Sequence, residues 1–373
     1  MTYKETLFFV AKCLTISLEE ENKKEIENQL KTNEVAWESI VKASTANYVL
    51  PALYCNLKRA CFLHYLPNDL VDFMIRVTDL NRERNKQIIE QAKEINNLLL
   101  ANNIKPIFLK GTGNLLEGLY EDIAERMVGD IDFLVSKDDY LKTLKILTNS
   151  GYSRVHKDSY DPLPSRHYPR LQKENNIAAL EIHKELLTEK YTNEFNYTIV
   201  KEDSQIINST HVMSFDNQLA LSIIAKQIND HGFYFKDIIL RNGYDVFLLS
   251  KKTVAKTAFN KFINLKNPLN CFLATCYEVF NKPKSLEYVN SKDIETYLKS
   301  FNKLLADEKL RNKRYKKIKI ALFIKSRCTI IYKSIFDKTH RSWLLKKTTD
   351  KNWQQEKLIQ LGLKKSKPNP QLH

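Results

Sequence analysis

Two aspartates stand two positions apart in an otherwise apolar stretch, Asp130 and Asp132 in DIDFLV. Because alternate residues of a strand point to one face of a sheet, both carboxylates should project together. Two like charges this close repel one another, and a divalent cation that takes oxygen ligands, such as Mg²⁺, relieves the repulsion. The pair therefore predicts a metal site. The alternative for a DxD on its own is an edge strand with two solvated aspartates.

A second group of residues, upstream of the aspartates, suits an anionic ligand. The apolar run IKPIFL leads into Lys110, Gly111, Thr112 and Gly113, which predicts a strand followed by a tight glycine turn. Such a turn before a helix offers free backbone N–H groups and a hydroxyl to a phosphate. Lys110 adds a positive charge. We therefore expect these four residues to bind phosphate.

A third carboxylate follows downstream. In the predicted strand over 177–184, Glu181 and His183 share one face, and the apolar residues between them share the other. With Asp130 and Asp132, Glu181 would complete the carboxylate set that two-metal phosphoryl transfer needs, one carboxylate helping to activate the attacking group. The alternative for Glu181 alone is a solvated strand residue. A lone strand histidine such as His183 is more often structural than catalytic.

Taken together, these residues resemble an uncharacterised family of nucleotidyltransferases within the DNA polymerase beta-like superfamily. Members of that family read LKG, then RxxGDIDhLV, then GY, then (D/E)hH, where h is an apolar residue. The resemblance covers roughly residues 66–249, and the matching motifs lie at 109–111, 126–135, 151–152 and 181–183.

The resemblance implies an α+β fold, a nucleoside triphosphate (NTP) such as ATP as substrate, and Mg²⁺ as cofactor. It also implies roles for individual residues. Asp130, Asp132 and Glu181 would be both the catalytic residues and the metal ligands. Arg126 would have a structural or triphosphate-contacting role, and a solvated loop arginine is the alternative.

The elements that would position these residues follow from hydrophobic spacing. Apolar residues three and four apart predict helices up to about residue 103, the last of them long and amphipathic. Helical spacing returns from Asp216, a predicted N-cap. Between these parts, strands are predicted near 104–109, 130–135, 166–171 and 177–184, with helices near 114–120 and 137–150. We expect four segments: a helical one over 1–103, a nucleotidyltransferase core over 104–200, a helical one over 201–310, and a basic arm with a disordered end over 311–373.

The basic arm holds the charge excess of the chain. The 373 residues carry 59 Lys+Arg against 44 Asp+Glu, and residues 301–373 alone hold 20 basic and 5 acidic side chains. Basic and apolar residues interleave over 320–336, as in helices that lie on anionic membranes or grip a nucleic-acid backbone. Three interpretations stay open: an anionic membrane, RNA, or a solvated helix that binds neither.

The cysteines and the apolar runs bear on the compartment. Six cysteines are scattered without a CxxC pair, and no apolar run approaches the roughly 18 residues of a spanning helix. We therefore expect reduced thiols in a cytoplasmic protein, peripheral to the membrane if the arm binds lipid.

The function expected from these features is Mg²⁺-dependent transfer of a nucleoside monophosphate from an NTP to an acceptor, with release of pyrophosphate. The acceptor is a small molecule, RNA or a protein. The alternatives are a non-catalytic NTP- or RNA-binding protein of the same fold, and a toxin-like enzyme that nucleotidylates tRNA.

Overall fold

The first 100 residues form helices at the spacing of their apolar side chains. A computed structural model of the chain describes residues 1–32, 34–155, 163 and 165–360. In the longest of these helices, Ile88, Ala92, Ile95 and Leu99 recur at helical spacing and are buried. The N-terminal helices are α1 (Tyr3–Cys13), α2 (Glu20–Lys31), α3 (Trp37–Ala46), α4 (Leu50–Arg59) and α5 (Asn68–Leu100).

A mixed sheet follows and carries the acidic residues. Its strands are β1 (Ile107–Phe108), β2 (Asp130–Leu134), β3 (Ser153–Arg154), β4 (Leu171–Gln172), β5 (Ala179–His183), β6 (Gln205–Ile207) and β7 (Thr210–Val212). The strand order is β3-β4-β5-β2-β1-β7-β6, and β2 runs parallel to β5 while β1 runs parallel to β7. Ile131, Phe133 and Ile182 are fully buried, so β2 and β5 lie in the core. This sheet with its flanking helices confirms the predicted α+β class.

The helix after β1 begins earlier than predicted. The helix α6 (Lys110–Glu117) includes the glycines that the sequence pattern places in a turn, and the Gly113 N–H donates to the Leu109 carbonyl at 3.0 Å. A Cβ on Gly113 would lie 2.8 Å from the Phe108 carbonyl oxygen, so glycine lets the helix start directly against β1. Gly118, at φ +78°, ends the helix in the left-handed conformation that glycine favours.

Two short strands lie in the segment over 201–310 that the sequence predicts to be helical. The strands β6 and β7 form a hairpin through Asn208 and Ser209, which both have positive φ. Each strand is only three residues long, so a period-two alternation cannot stand out in the sequence. Pairing of β7 with β1 places the hairpin at one side of the sheet.

Helices connect the strands and follow them. They are α7 (Lys137–Asn149), α8 (Tyr197–Glu202), α9 (Phe215–Ile224), α10 (Gly232–Phe235), α11 (Leu240–Ser250), α12 (Ala255–Ala258), α13 (Lys266–Val279) and α14 (Lys292–Ala306). The N-cap of α9 is Ser214, whose Oγ accepts from the Asn217 N–H at 3.4 Å. The prediction of Asp216 as the N-cap is therefore wrong. Asp216 lies in the first turn, where an acidic side chain favours the positive end of the helix dipole.

The chain divides into two units. The first comprises Met1–Val155 and Arg166–Arg314, and the second includes the described residues from Tyr315 onward. The second unit contains most of α15 (Glu308–Phe336), followed by α16 (Lys338–Thr349) and α17 (Lys351–Gln360). Within the described ranges, no helix is both long and apolar enough to cross a membrane. The chain end predicted to be disordered, 364–373, lies outside the described residues.

Candidate active site

Strand register brings the three predicted carboxylates together. The strands β2 and β5 pair in parallel, with Asp132 beside Glu181 and Asp130 beside Ala179. All three acidic side chains therefore project from one face of the sheet. The side chains of Asp130, Asp132 and Glu181 are 19%, 11% and 14% exposed. This arrangement concentrates negative charge at a half-buried position on the sheet.

Two cations approach this carboxylate cluster from its two sides. The Lys110 Nζ lies 2.5 Å from Asp132 Oδ1 and 3.6 Å from Glu181 Oε2. Arg170, which immediately precedes β4, places Nη2 2.9 Å from Asp130 Oδ2 and Nε 3.2 Å from Glu181 Oε1. Because β4 lies beyond β5 and β1 lies beyond β2 in the sheet, the two side chains reach the cluster from opposite directions.

The charges in the cluster shift the pKa values of its members in different directions. Burial acts to raise the pKa of Glu181, but the hydrogen bond from His183 and the charge of Lys110 outweigh it and hold that pKa well below its usual range. The pKa of Asp130 is raised, because burial and the neighbouring carboxylates outweigh the charge of Arg170. Burial disfavours the charged form of Lys110, yet the two carboxylates that it contacts raise its pKa. Glu181 and Lys110 are therefore held in their charged forms.

The donor atoms fit a divalent cation. One ligand atom each from Asp132, Glu181 and His183 lie within 4.8 Å of one another. His183 Nε2 is 2.9 Å from Asp132 Oδ1, whereas its Nδ1 is buried and has no hydrogen-bond partner within the described part of the chain. Two carboxylates and an imidazole suit a transition-metal ion. Asp130, on the same face of the sheet, would add a carboxylate oxygen of the kind that Mg²⁺ prefers, and its place among the ligands stays a prediction.

The residues predicted to bind phosphate form the first turn of α6. Gly111, Thr112 and Gly113 are buried, and the Thr112 hydroxyl donates to the Asp130 carbonyl at 3.2 Å. A Cβ on Gly111 would lie 2.9 Å from a Val128 methyl group, so glycine allows this turn to pack closely against the segment that leads into β2. The first backbone N–H groups of a helix lack acceptors within it. Phosphate binding at this turn stays a prediction.

Arg126 is buried in a hydrogen-bond network with α11. Its Nε lies 3.0 Å from each carboxylate oxygen of Asp245, and its Nη1 donates to the Met127 carbonyl at 2.7 Å. The Tyr120 hydroxyl also donates to Asp245 Oδ1, at 2.7 Å. Burial disfavours the charged form of Arg126, but Asp245 raises its pKa overall. These contacts fix the loop before β2, and a triphosphate contact by Arg126 stays a prediction.

Asparagines on α5 hold the same loop. Asn81 Nδ2 donates to the Ala124 carbonyl at 2.7 Å, and Asn85 Nδ2 donates to the Ile123 and Arg126 carbonyls at 2.6 and 2.7 Å. Because residues 123–129 lead directly into β2, these bonds help to set the position of the first aspartate. Asparagines four apart, at helical spacing with the apolar Ile88 and Ala92, are a sequence signal that could have pointed to this role.

Two further residues of the site were missed or interpreted differently from the sequence. Arg170 lies in the predicted strand over 166–171, but its partner becomes evident only when Leu171 pairs with Leu180 and sets Arg170 opposite Glu181. Asp245 lies in the segment predicted to be helical, and from the sequence alone a packing or capping role is the favoured interpretation. It is the only acidic residue of α11, and a lone acid among buried apolar residues is a signal for an internal ion pair.

Comparison with known proteins identifies the family of the chain. A search of curated proteins gives no match. The sequence matches the family described as uncharacterised nucleotidyltransferase over residues 33–280, which is well over half of the chain. The matched range contains both acidic strands, α6 and the pair formed by Arg126 and Asp245. The match confirms the resemblance inferred from the motifs, and the chain belongs to this uncharacterised nucleotidyltransferase family.

Proposed function

We propose that the protein is a Mg²⁺-dependent enzyme that transfers a nucleoside monophosphate from an NTP to an acceptor and releases pyrophosphate. The observation that carries this proposal is the strand register that sets Asp132 beside Glu181, with Asp130 on the same face. Membership of the family supports a nucleotide substrate and a transferase reaction. The donor set supports a divalent cation.

The predicted carboxylates, Lys110 and the start of α6 each have a role in this proposal. Asp130, Asp132 and Glu181 would hold the cation, while Lys110 and the backbone N–H groups at the start of α6 would bind the triphosphate. When bound, the divalent cation would neutralise phosphate charge and make an acceptor hydroxyl more acidic.

The transfer itself would be an in-line displacement. The acceptor oxygen would attack the α-phosphorus, the bond between the α-phosphorus and the bridging α–β oxygen would break, and pyrophosphate would leave with that oxygen. A proton on the acceptor hydroxyl would pass to a Glu181 carboxylate oxygen and then to water. Because the pKa of Glu181 is held low, this residue suits a metal ligand and accepts a proton only from a strongly acidified hydroxyl.

Label transfer tests the proposal. The purified protein would be incubated with each α-³²P-labelled NTP, Mg²⁺ and a cell extract, and the label would then be located in small molecules, RNA or protein. Asp132→Asn removes a charge from the cluster and should abolish transfer. Asp138→Asn, the same change at an exposed position in the first turn of α7, should leave transfer unchanged. Equal labelling by wild type and Asp132→Asn would refute the role of the cluster.

The same experiment separates the alternatives. Label recovered in tRNA would identify a tRNA nucleotidyltransferase. Nucleotide binding by the wild type without any transfer would identify a non-catalytic binding protein.

We further propose that the second unit binds an anionic membrane surface. Residues 315–360 carry 12 basic and 3 acidic side chains. On α15, four isoleucines recur at spacings of four and seven, lie on one face of the helix and are between 54% and 60% exposed: Ile320, Ile324, Ile331 and Ile335. An exposed aliphatic stripe on a basic helix suits the boundary between lipid headgroups and acyl chains. A phosphodiester backbone offers no apolar surface to such a stripe.

Vesicle and RNA binding by two variants tests this second proposal. The first variant neutralises exposed lysines of α15 and comprises Lys316→Gln, Lys317→Gln, Lys319→Gln and Lys325→Gln. It should weaken binding to phosphatidylserine vesicles and flatten the salt dependence. The second variant, Ile324→Ser with Ile331→Ser, should weaken vesicle binding and leave any RNA binding unchanged. RNA binding that falls in the lysine variant while vesicle binding does not would assign the arm to nucleic acid instead.

A further inference from the structure

Arg170 lies at the rim of the carboxylate cluster on a fixed backbone. Antiparallel pairing of Leu171 with Leu180 sets Arg170 opposite Glu181, and the Val155 N–H donates to the Arg170 carbonyl at 3.0 Å. The side chain, in contrast, is 55% exposed. Arg170 therefore has an anchored main chain and a guanidinium group that can turn toward solvent.

The guanidinium group lies on two carboxylates at once. Its Nη2 is 2.9 Å from Asp130 Oδ2, and its Nε is 3.2 Å from Glu181 Oε1. The other Glu181 oxygen, Oε2, faces Lys110 and His183, each at 3.6 Å. Arg170 thus occupies the outer oxygens of the cluster, which a divalent cation held by Asp130 and Glu181 would also need.

The two cations of the cluster differ in how easily they can leave it. The Lys110 side chain is 25% exposed and lies 2.5 Å from Asp132 Oδ1, so its removal would leave a half-buried carboxylate without a positive partner. The Arg170 side chain is 55% exposed, so water solvates its guanidinium group when the ion pairs separate, and ion pairs made by an exposed side chain are weak. Exchange of positive charge at this site is therefore expected at Arg170 and not at Lys110.

We propose that Arg170 is an exchangeable counterion of the active site. It neutralises Asp130 and Glu181 until a divalent cation binds these carboxylates, and it then turns to the triphosphate of the NTP. A guanidinium group suits both positions, because it bonds carboxylate and phosphate oxygens through two parallel N–H groups. This inference rests on the proposed function and goes beyond it by assigning Arg170 as a substrate-binding residue.

Binding of Mn²⁺ alone tests the first part of the proposal, that Arg170 neutralises the carboxylates until a divalent cation binds. Mn²⁺ prefers the same oxygen ligands as Mg²⁺, and its free concentration can be followed by electron paramagnetic resonance. Arg170→Gln removes the competing charge and should bind Mn²⁺ about fivefold more tightly, the scale expected of an exposed ion pair. Arg170→Lys keeps the charge and should bind Mn²⁺ nearly as the wild type does.

A matched control lies on the neighbouring strand. Arg154 pairs with Leu171, so its side chain projects from the sheet face opposite to that of Arg170. Arg154→Gln makes the same change in charge, and Mn²⁺ affinity should stay at the wild-type value. Equal urea midpoints for wild type, Arg170→Gln and Arg154→Gln would establish that all three are folded alike.

Binding of non-reactive nucleotides tests the second part of the proposal, that Arg170 then contacts the triphosphate. With Mg²⁺ present, Arg170→Gln should bind the α,β-methylene analogues of ATP, GTP, CTP or UTP about tenfold more weakly than wild type, because a charged phosphate contact is lost. If Arg170 were purely structural, its loss would shift the affinities for Mn²⁺ and for the analogues in the same direction, or would shift neither. Loss of an exchangeable counterion shifts these two affinities in opposite directions.

The outcomes are distinguishable. Mn²⁺ affinity that is unchanged or weaker in Arg170→Gln overturns the counterion role. Unchanged analogue binding in that variant, with normal binding by the wild type, overturns the triphosphate role and leaves the proposed function intact. If the wild type binds none of the analogues, the proposed function fails and this inference fails with it.

Discussion

The buried pair of Arg126 and Asp245 allows a stability prediction that does not depend on the substrate. Asp245 is 2% exposed, and Arg126 is 7% exposed. Asp245→Asn keeps the shape and an acceptor for the Tyr120 hydroxyl, but it leaves the guanidinium group buried without an opposite charge. Arg241 lies close enough for the charge of Arg126 to add to burial in lowering its pKa, so loss of the carboxylate exposes two positive groups to each other.

Two estimates of the loss in free energy of unfolding on removal of the Asp245 charge agree in size. Breaking a buried ion pair by removal of one partner costs about 3–5 kcal/mol. A unit charge about 4 Å from its partner at an effective dielectric constant of about 20 gives about 4 kcal/mol. Because asparagine retains the hydrogen bond from Tyr120, we expect Asp245→Asn to lower the free energy of unfolding by about 3 kcal/mol.

Urea unfolding followed by circular dichroism at 222 nm measures this loss. Asp138→Asn, on the surface of α7, is the matched control and should stay within about 0.5 kcal/mol of wild type. Arg126→Met combined with Asp245→Asn removes the unpaired charge and should recover most of the lost stability. The reasoning would be refuted by an Asp245→Asn variant as stable as wild type, or by a double variant less stable than Asp245→Asn alone.

Two further predictions concern carboxylates in different settings. Glu181→Gln should fold normally and lower the rate of label transfer by about 10²-fold or more. The control Glu174→Gln, in the turn before β5, should leave the rate of label transfer unchanged. Near-normal transfer by Glu181→Gln would place the third carboxylate elsewhere. Glu117 accepts hydrogen bonds from Gln205 and Gln218, but burial prevails and raises its pKa from 4.5 to about 7. The stability contributed by the protonated carboxyl is therefore full below pH 4.5 and lost as the pH rises through about 7. Glu117→Gln mimics the protonated acid, so it should match wild type at pH 4 and be more stable at pH 8 by about 1 kcal/mol, after allowance for screening of a partly exposed group; equal urea midpoints at pH 8 would contradict this expectation.

The sequence contains the positions of the acidic strands but not their register. Apolar residues flank Asp130 and Asp132 so regularly that the strand and its polar face could be predicted. The pairing of Asp132 with Glu181 joins strands that are distant in the chain, and it depends on the packing of the whole sheet. The same limit explains Arg170, which the sequence places in a strand over 166–171 but which immediately precedes β4 in the structure, and whose contact with Glu181 depends on strand pairing.

The start of α6 shows a different limit. Gly111 and Gly113 read as a turn, because glycine disfavours helices in isolation. In the folded chain both glycines are required by close packing, against Val128 and against the Phe108 carbonyl. Tertiary contacts therefore override local propensity at the point where the helix meets the sheet.

The electrostatic balance of the site explains why it has both fixed and exchangeable parts. Three carboxylates face Lys110 and Arg170, so three negative side chains meet two positive ones. If Arg170 withdraws, the cluster carries two uncompensated charges, which equal the charge of one divalent cation.

Such an exchange requires that the carboxylates themselves do not move. The loop before β2 meets that requirement, because it is held by the ion pair with α11 and by the asparagines of α5. A loss of rigidity in that loop should therefore weaken Mn²⁺ binding, even though Asp245 lies outside the cluster. Measuring the Mn²⁺ affinity of Asp245→Asn at urea concentrations too low to unfold it tests this coupling directly. Wild-type Mn²⁺ affinity in a folded Asp245→Asn protein would show that the strands alone position the carboxylates.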